Sequence, residues 1–181
     1  MKLTDGERLI VLMLAGIQKG LKLKGEFDPD FVSKAVLYDQ LWALTWEHSG
    51  IPWDDKTTPP AVGETVDILD MWTFLESGYK GLAPIERKRV EVEAAPFGKD
   101  VKFPGFDGNN EEHYHLAKFL IDDLGRFSTF KGRSLNSHSR SLPGYLRMYD
   151  LFETIRPYLG DRPLTCDEII SLLKARMHPA N

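Results

Sequence analysis

One cysteine, Cys166, in 181 residues leaves no intramolecular disulfide framework and no four-thiolate metal site. The chain also lacks a long apolar run. Its longest, Leu9 to Ile17, is nine residues including a glycine, against the roughly 20 that a bilayer span requires. Asp5 and Glu7 stand where a signal peptide carries basic residues, and no small-x-small cleavage site follows, so the chain is read as cytoplasmic and not a membrane protein. No segment alternates with period two, which removes strands from the expectation. Gly-x-Gly-x-x-Gly, P-loop and nucleophile-elbow patterns are missing, so no nucleotide fold, hydrolase or cofactor is expected. A net charge of −4 argues against a surface coated in nucleic acid.

What is present is helical punctuation. Thr4-Asp5-Gly6-Glu7 and Thr165-Cys166-Asp167-Glu168 have capping-box spacing, and Asp28-Pro29 places an acceptor before a proline at the first helical position. These signals predict a buried helix over 5–19, one helix over 28–48 and a final helix from Cys166. Pro59-Pro60 opens a helix whose Val62, Val66, Leu69, Trp72 and Leu75 form a broad apolar stripe, the expected hub of the core. A charged helix over 84–94, a helix after Asn109 or Asn110, and one from Pro143 to about Pro157 complete an all-α reading of six or seven helices. It is taken as one domain over 1–181, with a possible subdivision near 83–108. The loop 95–110, rich in Phe, Pro and Gly, is expected to pack on the core. Trp42, Trp46 and Trp72 are read as core, and Trp53 as an exposed contact residue.

Several motifs in order carry a resemblance: Thr65-Val66-Asp67-Ile68-Leu69-Asp70-Met71-Trp72, Phe103-Pro104-Gly105-Phe106-Asp107, Gly125-Arg126-Phe127, Leu135-Asn136-Ser137 and Tyr145-Leu146-Arg147-Met148. Together they resemble the YfbU family of bacterial proteins over nearly the whole chain. The resemblance implies a compact multihelical cytosolic domain and supplies no catalytic residue.

The clearest charge feature lies between Asp123 and Asp150. Arg126, Lys131, Arg133, Arg140 and Arg147, with His138, occur there without a single carboxylate. Guanidinium forks bind phosphate and carboxylate through paired charge-assisted hydrogen bonds. The expected role is a non-enzymatic binding or protein-interaction module. Arg126, Lys131, Arg133, Asn136, His138 and Arg140 would hold an anionic small molecule or RNA, and the chain would form a homo-oligomer. The bland alternative is that these cations pair with the chain's own carboxylates. The competing enzyme reading rests on Arg133 and His138, an Arg-x4-His spacing that resembles the signature of HEPN ribonucleases. There the arginine would stabilise phosphate charge and the histidine would shuttle a proton, without metal. Glu112 and His115 have a Glu-x-x-His spacing, but only once, too few ligands for a di-metal bundle, so no metal is expected. Cys166, in the first turn of its helix, stands where the helix dipole can lower a thiol pKa, with no partner to suggest catalysis.

Overall fold

The computed structural model describes residues 2–55 and 57–177 and, among them, eight α-helices and no strand. The all-α expectation holds. Two compact units emerge, residues 1–59 and 60–181.

The first unit contains α1 (Asp5–Gly20), α2 (Pro29–Leu37) and α3 (Trp42–Glu47). The capping box at Thr4 forms, the threonine accepting from the Glu7 amide while the Glu7 carboxylate accepts from Thr4 N. The expected helix over 28–48 is two helices. Asp39 takes a left-handed conformation at φ 57°, and the Gln40 amide donates to Ala35 O at 2.7 Å, closing α2. The Gln40 side chain then receives the Trp42 indole N–H at 2.6 Å, which starts α3 in a new direction.

The expectation of a buried α1 is overturned. Only Ala15 is buried, and Arg8, Val11, Leu12 and Gln18 are half-buried along the same edge. Arg8 holds this edge down by donating to Val36 O and Asp39. A run that is apolar on all sides reads as buried, but a unit this small has too few elements to surround it.

In the second unit α4 (Pro60–Gly81) is the hub that its stripe predicts. Val62, Ile68, Leu69, Met71, Trp72 and Leu75 are all buried. Around it lie α5 (Pro84–Glu93), α6 (His113–Lys118) running into a π-helical turn over 119–123, α7 (Leu142–Ile155) and α8 (Cys166–Ala175). The loop 95–110 does pack on the core. Phe103 and Phe106 join Trp72, Phe130 and Tyr145 in one aromatic cluster with ring centroids 5.3 to 5.8 Å apart. Edge-on and tilted ring pairs of this kind add about 1 kcal/mol each beyond area burial.

Candidate functional site

The residues singled out in the basic stretch are built into the second unit in different ways. Arg133 turns its fork onto Glu76 of α4, with both N–H···O distances at 2.9 Å, and also donates to Phe103 O at 3.2 Å. Glu76 accepts in addition from Phe103 N at 2.6 Å. One half-buried ion pair thereby pins two loops to the central helix. Asn136 accepts from Gly108 N at 3.1 Å and from His138 N at 2.9 Å through the same side-chain oxygen. His138 is exposed in a left-handed turn at φ 55°. The Arg133 guanidinium is turned onto Glu76, whereas the His138 side chain is exposed. Arg126, Lys131 and Arg140 are exposed. Arg147 donates to Ala175 O, Arg176 O and Met177 O at 2.8 to 3.1 Å, capping the carbonyl end of α8.

The motifs that carry the family resemblance meet here as structure. Phe106 N donates to Leu135 O and Ser137 N to Phe106 O, both at 2.9 Å, a short parallel bridge between two loops. Gly105 sits at φ 93°, and a Cβ there would lie 2.0 Å from Leu135 O, so only glycine fits. Its carbonyl receives the Tyr145 hydroxyl at 2.9 Å, and burial pushes that phenol's pKa well up.

Below the bridge Glu111 is a buried node. Placed by the sequence near a helix start, it accepts instead from Asp107 N, Ser141 N, Leu142 N and the Ser141 hydroxyl at 2.7 to 2.9 Å. Burial pushes its pKa up, and these hydrogen bonds pull it further down, for a net lowering. His113, from the same stretch, turns inward to Glu64 of α4 at 2.9 Å, while His115 is exposed. Among the described residues no group of three or more His, Cys, Asp or Glu is arranged to hold a metal. The Cys166 thiol is buried against Glu86 O, and burial pushes its pKa up rather than down, the reverse of the effect expected from the helix dipole.

The first unit carries a different kind of surface. Leu9, Ile10, Met13, Leu14 and Ile17 of α1, with Leu21 at its C-cap, are each 54 to 66% exposed. Positions 10, 14, 17 and 21 form one row at four- and three-residue spacing, with 9 and 13 beside it, opposite the edge that carries Arg8 and Ala15. At roughly 100 Å² per side chain, these six present on the order of 600 Å² of contiguous apolar area, as large as the patches that mark interaction sites on soluble proteins. Beside this face lies an apolar recess of about 340 Å³, lined by Val11, Leu14, Phe27, Val32, Ile51 and Trp53, among others. Trp53 is half-buried, its indole donating to His48 O at 2.9 Å, so it is not the exposed contact residue expected of it. The sequence signal for this face was the apolar run itself. Periodicity cannot distinguish a buried run from one awaiting a partner.

Among the described residues no helix is long and apolar enough to cross a membrane. No curated protein and no solved structure matches the chain. A family model described as the YfbU domain matches residues 52–175, a shorter stretch than the nearly full-length resemblance read from the motifs. It begins after α3 and takes in α4 to α8, with the Gly105 turn, the Leu135–Ser137 bridge and Arg147 inside it. Through this matched helical core, the chain belongs to the YfbU family.

Proposed function

We propose that this protein is a protein-interaction module that docks through the apolar face of α1. The observation that carries this reading is the face of six apolar side chains, each more than half exposed, on α1 and its C-cap. Water does not solvate such a stripe without cost, and a partner surface that covers it recovers the hydrophobic contribution the fold leaves unused. The basic stretch carries the reading less well. Arg133 already neutralises Glu76 within the fold, and Arg147 is spent on the carbonyls that end α8. The exposed Lys131 and Arg140 suit long-range steering of an acidic partner rather than a built anion pocket.

The test is site-specific photo-crosslinking in cells. A photoreactive residue replaces Met13 in the full chain, with replacement of the highly exposed Tyr158 as the comparison. Protein adducts formed at position 13 and suppressed by Ile10→Lys with Ile17→Lys are the expected result. Equal labelling at the two positions, or adducts at position 13 that contain only lipid, would refute the reading.

A further inference from the structure

The face of α1 has internal symmetry of a kind that suggests what covers it. Resting on the reading of α1 as a docking face, we infer that its partner is a second copy of the same helix, packed antiparallel about a two-fold axis. The row is pseudo-palindromic about a point between Met13 and Leu14. An axis there sets Ile10 against Ile17 of the other copy, Met13 against Leu14, and Leu21 over Gly6.

That last contact is sterically open, because nothing lies within 4 Å of a Cβ built at Gly6. The same holds at Gly16 and Gly20 on the helix surface. Unsubstituted positions let two backbones approach closely, and glycine inside a helix is otherwise a cost to stability.

The helix dipoles favour the same arrangement. An antiparallel pair lays the amino end of each α1 beside the carboxyl end of the other, so that the two dipoles oppose. A parallel pair would align them.

The area is adequate as well. Two faces of about 600 Å² each give roughly 1,200 Å², the lower edge of stable protein–protein interfaces. An isologous contact needs no second surface, since the same residues serve both partners.

A lipid surface fits less well. Interfacial helices carry a lysine- and arginine-rich polar face with aromatic anchors, whereas the opposite edge of α1 offers Arg8, already committed to Val36 O and Asp39, Lys19, paired with Asp30 at 2.6 Å, and Gln18, bonded to Phe27 O.

The experiment uses the full-length purified chain. Sedimentation or light scattering at micromolar concentration is expected to give twice the 20.6 kDa of one chain. Ile10→Lys with Ile17→Lys is expected to weaken dimerisation about a hundredfold or more while leaving far-ultraviolet circular dichroism unchanged, because both positions are exposed in the folded unit.

Orientation is read by mixing a Gly6→Cys chain with a Leu21→Cys chain, positions that the axis sets against each other, the native Cys166 being buried. A disulfide dimer forming in the mixture and in neither variant alone supports the antiparallel pair. Disulfide formation by Gly6→Cys alone would overturn that orientation. A dimer that survives the two lysines would overturn α1 as its interface. A monomer that binds vesicles would overturn the proposal in favour of a membrane surface. A monomer whose position 13 still crosslinks to a different protein in cells would overturn self-pairing alone and leave the interaction reading standing.

Discussion

Glu111 offers the sharpest test of how the second unit is held together. Its two carboxylate oxygens accept four hydrogen bonds, one from Ser141 N at 2.7 Å and one from Leu142 N at 2.8 Å on the first, and one from Asp107 N at 2.8 Å and one from the Ser141 hydroxyl at 2.9 Å on the second. Ser141 makes no side-chain cap for α7, so Glu111 serves as that helix's N-terminal acceptor from a distant loop. Glu111→Gln keeps the shape and one oxygen but turns an NH2 group toward two of the four donors. A hydrogen bond to a charged acceptor is worth about 1.5 to 3 kcal/mol, and a stranded buried donor costs a similar amount. Because the hydroxyl can rotate to accept, the net loss is about 3 kcal/mol, or roughly 6 to 12 °C in Tm for a chain of this size. Thermal and urea unfolding followed by circular dichroism measure it. The pH dependence supplies a second readout. The folded-state pKa of Glu111 is lowered, so its stabilisation is complete above the unfolded carboxylate pKa and disappears as pH falls through the folded value. The gap between parent and Gln variant therefore narrows on acidification. A variant within about 0.5 kcal/mol of the parent at neutral pH, or a gap that widens in acid, would refute this account of the node.

Gly105→Ala is expected to abolish the native second unit rather than weaken it, because the added carbon would lie 2.0 Å from Leu135 O and 2.1 Å from its carbonyl carbon. Loss of soluble, cooperatively unfolding protein is the readout, and a variant as stable as the parent would contradict the bridge geometry. At the start of α8, hydrogen bonds from Arg162, with Thr165 adding to them, pull Glu168 down to about 2. Its contribution, about 1 kcal/mol after allowance for solvent screening of the partly exposed Arg162, is present above the unfolded pKa and lost as pH falls toward 2. Glu168→Gln should flatten that acid limb of the stability curve, and an unchanged limb would count against the pairing.

The helices and their ends were legible in the sequence because capping is local. Thr4 with Glu7 and Thr165 with Glu168 close boxes whose members lie three residues apart, so spacing alone locates them. The stripe on α4 was legible for a similar reason, since side chains three and four apart share a face wherever the helix is placed. The break at Asp39 was not. It depends on a left-handed residue stabilised by bonds to Ala35 and by the Gln40–Trp42 contact, and asparagine-like turns of that kind have no fixed sequence mark.

The site divided along the same line. Composition isolated a stretch of cations, but which of them face a partner is a property of distances across the chain. Arg133 meets Glu76 at a sequence separation of 57, and Arg147 reaches carbonyls about 30 residues away. The sequence by itself determined that this protein is helical, where most helices begin, and which family motifs it carries, all consequences of short-range spacing. Only the tertiary structure decided that the Phe103–Asp107 and Leu135–Ser137 motifs build a bridge, that Glu111 is a buried cap, and that the apolar run of α1 faces outward. An apolar run states a demand for burial, and only the elements packed around it show whether that demand is already met.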